Sequence, residues 1–409
     1  MFSFIQKLDR NHRSTLLTCF FIYMCSGIYT LVMGSVMPDL KAAYHLTDTM
    51  SGVFLSAHSA GNMIAGFVSA LIPLYLGERR SITLLASLLA LGFVMILFWG
   101  NPAWMFLAFL LTGFGRGSVT NFNNRTVNIV SGGSPAAANL LHASFAVGAI
   151  VSPMLFLAVR SWIGWRAAVA AVVVIGGVGI WRLSRLKLDR DRPDRKNKAN
   201  STLVFLKNPS FLIFGMMMFF YLCAEYAVNG WLVTYIQSKE SLLSGFAASG
   251  EALTDAVRAY SQSMAALLWL VMLAGRLFCA ALSSKVSQKI MMLVASIGAA
   301  VFYGLMLLSS SIPVVTLCVA GLGFCMAGIC PMIYSDAAIF TNTYPMATST
   351  LLAIGSSGAI LMPALVGALA ERFGFGGGMS AIFVAVVLLV VSALLNVVVK
   401  THVPEQVNL

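Results

Sequence analysis

The sequence predicts an all-α membrane protein, with twelve transmembrane helices in two pseudo-symmetric six-helix bundles. Three observations predict it. The chain is 59% hydrophobic and only 10% charged, with a mean hydropathy of +0.88, where ordinary globular domains carry roughly 25% charged residues. Apolar runs of about 20 residues, long enough at 1.5 Å per residue to cross a hydrocarbon core of about 30 Å, recur twelve times. A motif is also spelled twice: "GAIVSPMLFL" from Gly148 and "GAILMPALV" from Gly358 lie 210 positions apart, as do Gly113 of "TGFG" and Gly323 of "GLGFC". Two matches at one offset of about half the chain point to duplicated halves.

The first span, about 14–37, follows a short cationic segment and ends in no small-x-small cleavage site. It is read as a retained helix and not as a signal peptide. The second, 49–72, places His58 and Asn62 one turn apart, and the third, 81–99, follows the tight basic turn "LGERRS". The fourth, 103–127, carries Arg116, Thr120, Asn121, Asn123 and Asn124; the fifth, 138–159, carries Asn139 and His142 ahead of the Gly148 motif. The sixth, 166–182, completes an N-terminal bundle over residues 1–182, and the polar segment 183–208 is the expected cytoplasmic linker to a C-terminal bundle over 209–409.

In the seventh span, 209–236, Tyr221, Glu225 and Asn229 stand at i, i+4 and i+8, which puts them on one helix face, with Trp231 and Tyr235 beyond them. The insertion "SKESLLSGFAASGEALTDAVRA" then leads, through an expected short amphipathic segment, to the eighth span, 258–282, with Gln262, Trp269 and Arg276. The ninth, 289–309, follows "SSKVSQK", and the tenth, 314–338, ends near Asp336. The eleventh, 347–369, repeats the glycine and proline of the fifth, and the twelfth is 379–399. With little hydrophobic drive between helices in lipid, small residues let backbones approach, and a proline is tolerated where neighbours satisfy the freed carbonyl. Helices five and eleven are therefore expected to be corresponding, bent, closely packed elements at the interface between the halves.

The net charge of +12 is distributed as membrane topology and not as a nucleic-acid surface. With the N-terminus inside, Lys7, Arg10, Arg13, Arg79, Arg80, Arg125, Lys285, Lys289, Lys400 and the block "RLSRLKLDRDRPDRKNK" gather on one side; Lys41, Arg160, Arg166, Lys239, Arg258 and Arg372 remain on the other. By the positive-inside rule both termini are expected in the cytoplasm and the chain in the cytoplasmic (inner) membrane, with the basic block solvated at the anionic leaflet. The expected partners are a small-molecule substrate and the lipid bilayer, with no nucleic acid and a monomeric state. All seven cysteines fall in apolar spans without metal-ligand spacing, so neither a metal site nor a cofactor is expected beyond a coupling ion, proton or sodium. No soluble-enzyme motif is present: "GFGRG" lies inside a span without a preceding strand.

A charged side chain at the centre of a membrane helix costs at least about 2.5–3.5 kcal/mol on insertion scales, so it faces a cavity or a partner. The candidate substrate-binding residues are accordingly Arg116, Asn121, Asn124, His142, Tyr221, Glu225, Asn229, Trp231, Gln262 and Trp269. The candidates for coupling or gating are His58, Asn62, Glu225, Arg276 and Asp336, and a pairing of Arg116 with Glu225 across the halves is a further gating arrangement.

The layout and three segments resemble a known family. "YLCAEYAVNGWLVTY" (Tyr221–Tyr235), "NLLHASFAVGAIVSP" (Asn139–Pro153) and "GRLFCAALSSKVSQK" (Gly275–Lys289) are similar to the fucose permease-like branch of the major facilitator superfamily, which includes sodium-dependent glucose transporters. The resemblance implies alternating access with a sugar-like solute bound midway, Glu225, Asn229 and Trp231 beside its path, and Asn121 in the place of a helix-four asparagine of the branch. Departures accompany it. Where proton-coupled members carry an aspartate in helix one and a glutamate in helix four, this chain reads "TLVMGSVMPD" and "GFGRGSVTN", so Arg116 brings a positive charge where an acid would stand.

The expected function is a secondary active or facilitative transporter, a symporter if ion-coupled, for a sugar or sugar derivative, with Glu225 and then His58 and His142 as proton carriers. The alternative is an organic-anion transporter using the positive charge of Arg116 and the histidines. A drug exporter with a Met- and Phe-rich cavity, or a non-transporting receptor, ranks below these. The short tails, about 13 and 10 residues, leave little chain for signalling, and no nucleophile and base stand together as in an enzyme.

Overall fold

Helix starts in this chain are set by polar caps and prolines. Asp9 accepts hydrogen bonds from the backbone N–H groups of Asn11 and His12 and opens α1, Arg10–Tyr44, which ends where His45 takes a left-handed conformation. Thr47 caps α2, Asp48–Leu71; Asn101 caps α4, Pro102–Val130; and Asn208 caps α7, Pro209–Ser238, the last two with proline in the first helical turn, where its missing N–H has no partner to lose. Between them lie α3, Glu78–Phe98; α5, Pro135–Ile163; and α6, Trp165–Arg185. After α7 come α8, Gly250–Leu282; α9, Gln288–Leu308; and α10, which starts as Ile312–Met326 and continues through the short helices Ile329–Asp336 and Ala338–Thr341. The final helical stretch, Ala347–Val398, is divided by Gly374, whose φ of 75° and ψ of 169° break the helix, into α11 (347–373) and α12 (375–398).

This computed structural model describes residues 9–98, 100–132, 134–186, 204–246, 249–283, 285–341, 344 and 346–399. Most of the predicted linker, together with Lys7 and Lys400, lies outside the described residues. Nine helices among those described are long and apolar enough to cross a membrane. The stretch divided at Gly374 supplies one more, and α2 and α4 have the length but hold more polar residues, which makes twelve spans. The predicted amphipathic insertion holds a single helical turn, Glu240–Leu243, before α8.

The chain divides into two compact units, Met1–Asp194 and Arg195–Leu409, with α1–α6 in the first and α7–α12 in the second. In the first unit α1 packs on α5 and α2 on α4; in the second α7 packs on α11. The repeated glycines lie at these contacts. A methyl group built on Gly148 would stand 1.9 Å from the Met24 carbonyl oxygen, and one on Gly358 would stand 2.4 Å from that of Phe219. Gly113 meets the His58 carbonyl oxygen at 1.8 Å, and Gly323 meets that of Leu268 at 2.5 Å. His58 and Leu268 are themselves 210 positions apart, so both members of the α2–α4 contact recur at the repeat offset in the α8–α10 contact.

The ends of the first unit are tied by ion pairs. Arg160 of α5 grips Asp39 of α1 through Nε and Nη2, at 2.6–2.9 Å, and Lys41 pairs with Asp48 across the α1–α2 turn. At the opposite end Arg125 of α4 pairs with Glu78, at the start of α3, at 3.3 Å.

Candidate functional site

Polar side chains predicted as functional gather in each unit around an interhelical contact made close by glycine. In the first unit, Gly113 and Gly117 flank Arg116 on α4, and a methyl group on Gly117 would stand 2.6 Å from the Asn62 carbonyl oxygen. That approach brings α2 near enough for Arg116 Nη1 to donate to Asn62 Oδ1 at 3.4 Å. The Arg116 guanidinium also lies 5.8 Å from the ring centroid of Phe145 on α5, within cation–π range. Phe145 in turn packs on Tyr23 of α1, which also meets the exposed His142, edge-on at 5.7 Å.

His58, one turn before Asn62 and 6% exposed, points at Thr112, with Nδ1 3.0 Å from Oγ1. The Thr112 hydroxyl is itself committed to the Phe109 carbonyl at 2.7 Å. The hydrogen between His58 and Thr112 therefore sits on Nδ1, and Nε2, buried and without a hydrogen-bond partner, keeps a lone pair when the ring is neutral. Asn121 lies further along α4 and donates to Ser69 Oγ at 3.0 Å, tying α4 to α2, whereas Asn124 is exposed and donates to Thr120 of its own helix.

In the second unit the face of α7 bearing Tyr221, Glu225 and Asn229 meets α8 and α10. The Trp269 indole N–H donates to Asn229 Oδ1 at 3.0 Å, and the Arg276 guanidinium lies 5.8 Å from the Trp269 ring. The fully buried Tyr221 hydroxyl and the Cys330 thiol each lie in the electrostatic reach of both Glu225 and Arg276. Five predicted residues from two helices thus stand together: Tyr221, Glu225, Asn229, Trp269 and Arg276. Trp269 takes one of the two lone pairs of the Asn229 oxygen, so that side chain keeps both of its N–H donors and one acceptor position. Gln262, 1% exposed, lies two turns before Trp269 on α8.

Two predicted residues stand apart. Trp231 is fully buried, donates to the Pro363 carbonyl oxygen on α11 at 3.1 Å and packs against Phe375, a contact between helices. Asp336 closes the Ile329–Asp336 helix, facing Asn396 of α12 and lying in the field of Lys289 at the start of α9. Sequence reasoning missed Thr112, Phe145 and Cys330. Each reads as ordinary packing inside an apolar run, and only the fold shows which polar group it meets. Among the described residues no three His, Cys, Asp or Glu side chains gather as a metal site requires.

Residues 19–337 match the sequence model described as Major Facilitator Superfamily. The chain belongs to the major facilitator superfamily. It is a multi-pass membrane transporter of small molecules and not an enzyme. It is similar to the membrane protein MosC of Rhizobium meliloti, with 22% identity over 358 residues that cover 87% of this chain and 84% of that protein. Its fold is similar to that of a bacterial homologue of the human lysosomal transporter Spinster in an inward-facing, occupied conformation, with a TM-score of 0.74 and 16% identity over 95% of this chain and 97% of that one. The nucleoside transporter NupG shares the fold at a TM-score of 0.73 and 13% identity, over 96% of this chain and all of that one. For a major facilitator protein the two six-helix units are the expected architecture.

Proposed function

We propose that this major facilitator protein carries a small neutral polar solute, a sugar or sugar derivative, across the cytoplasmic membrane by alternating access, with both termini in the cytoplasm. The observation that carries the reading is the gathering of Tyr221, Glu225, Asn229, Trp269 and Arg276 within the second unit. Such a group offers an amide donor, an aromatic face and a pair of opposite charges, the set that recognises vicinal hydroxyls and a sugar ring. The fucose permease-like character of "YLCAEYAVNGWLVTY" supports the same reading. Glu225 is the proposed proton carrier, as the acid on the α7 face that bears Tyr221 and Asn229, with Tyr221 and Cys330 in its electrostatic reach and in that of Arg276. A second reading, transport of an organic anion, is favoured by Arg116, a guanidinium in the middle of α4, with His58 and His142 as further groups that can bring positive charge.

A thermal-shift screen of the purified chain against neutral monosaccharides, disaccharides and small organic anions tests the substrate class, because a ligand that binds the folded state raises its apparent stability. Stabilisation by neutral sugars supports the first reading, and stabilisation by anions alone replaces it with the second. For coupling, Glu225→Gln in proteoliposomes is expected to abolish proton-driven accumulation of the stabilising solute while leaving exchange down its gradient. Unchanged accumulation removes Glu225 from the carrier role.

A further inference from the structure

We infer that His58 and Arg116 form a second polar subsite, in the first unit, that reads a hydroxyl group of the solute: the hydroxyl donates its hydrogen to His58 Nε2 and accepts one from the Arg116 guanidinium. The inference rests on the transporter reading above and narrows its substrate chemistry.

The geometry is specific about polarity. His58 is clamped by the bond from Nδ1 to Thr112, and the Thr112 hydrogen is already given to Phe109, so the imidazole cannot exchange its two nitrogens without breaking that chain. The remaining nitrogen, Nε2, is a buried acceptor with no partner in the protein. An acceptor left unsatisfied in a nonaqueous interior is unfavourable unless something donates to it. Arg116, which holds Asn62 on the same stretch of α2, supplies only donors and lies in the electrostatic field of His58. A hydroxyl is both donor and acceptor and so satisfies the two together. A carboxylate oxygen satisfies Arg116 but sets lone pair against lone pair at Nε2. The close α2–α4 approach at Gly113 and Gly117 sets His58 and Asn62 of α2 against the stretch of α4 that carries Arg116.

Two substitutions separate the two nitrogens. In His58→Asn the amide nitrogen takes the place of Nδ1, so the Thr112 contact is kept while the Nε2 acceptor is removed. In His58→Gln the longer amide brings an acceptor to the Nε2 position. Binding is read in the purified full chain by titrated thermal shift, with neutral hexoses and pentoses and with glucuronate and galacturonate as probes. The inference expects the best neutral probe to lose about tenfold in affinity in His58→Asn, the size of one hydrogen bond, and His58→Gln to recover most of that loss. Neutral probes that bind all three proteins alike overturn the subsite and leave sugar transport standing. Uronates that bind the wild type while no neutral probe does overturn the sugar reading. In that case tighter uronate binding by His58→Asn supports a lone pair facing the subsite, and unchanged binding overturns it as well. Nitrogen NMR of the histidine-labelled wild-type chain needs no variant to fold and no ligand to bind: a bare Nε2 with a protonated Nδ1 supports the inference, and a proton on Nε2 overturns it.

Discussion

Replacing Gly113 by alanine should be the most damaging methyl addition among the repeated glycines, and the amount follows from the contacts. The added carbon would lie 1.8 Å from the His58 carbonyl oxygen, whereas real Cβ atoms essentially never come within 3.0 Å of a neighbour, so α2 and α4 must part by about 1.2 Å. The obstacle is backbone, which has no rotamer to escape into. At Gly323 the distance to the Leu268 carbonyl oxygen is 2.5 Å, and about 0.5 Å of movement suffices. Overpacking of this kind costs typically about 1–3 kcal/mol; Gly113→Ala belongs at or above the upper end and Gly323→Ala near the lower. Parting α2 from α4 also stretches the 3.4 Å contact of Arg116 with Asn62 beyond hydrogen-bond length. Gly66→Ala in α2 is the control: nothing lies within 4 Å of its added carbon, and alanine favours the helix by up to about 1 kcal/mol. Apparent melting temperatures in one detergent should therefore rank Gly66→Ala at or above wild type, then Gly323→Ala, then Gly113→Ala. A Gly113→Ala protein as stable as wild type, or one more stable than Gly323→Ala, refutes the close-approach reasoning.

Two further outcomes are expected. Asp39→Asn and Arg160→Gln should each lower the melting temperature, and the double variant should be less destabilised than the sum of the two, because the partners are 13% and 18% exposed and share two-pronged contacts; strict additivity speaks against a coupled pair. Trp269→Phe keeps the ring under Arg276 but frees the Asn229 amide to turn, and should weaken binding of the stabilising solute by roughly 2- to 10-fold, the range of one neutral hydrogen bond. Affinity unchanged in titrated thermal shift removes Trp269 as the group that orients Asn229.

The fold was legible because lipid imposes coarse constraints that composition displays directly. Spans predicted at 166–182 and 209–236 are Trp165–Arg185 and Pro209–Ser238, and the errors lie where polar residues extend a helix past its apolar run. The first helix runs to Tyr44, beyond its predicted end at 37, because Asp39 and Lys41 are held by Arg160 and Asp48, which hydropathy does not count. The glycine pairs carried the duplication into view since close approach admits no other residue. The polar groups were only partly legible. Helical spacing placed Tyr221, Glu225 and Asn229 on one face, but which helix they meet depends on packing between segments 40 or more positions apart, as Asn229 and Trp269 show. For the same reason Trp231 reads in sequence like a sugar-stacking residue, while its indole is engaged with the Pro363 carbonyl. The clamp on His58 depends on Thr112, one hydroxyl among many in the spans, and on its commitment to Phe109.

The doubled contact of Gly113 with His58 and of Gly323 with Leu268 has an evolutionary consequence. What each glycine meets is a main-chain oxygen, which every amino acid possesses. The contact can thus be inherited intact while the residue above it drifts, and here one copy bears an imidazole and the other an isobutyl group. A duplicated scaffold joined through its main chain leaves its two copies free to specialise, one side chain at a time, without relearning how to assemble.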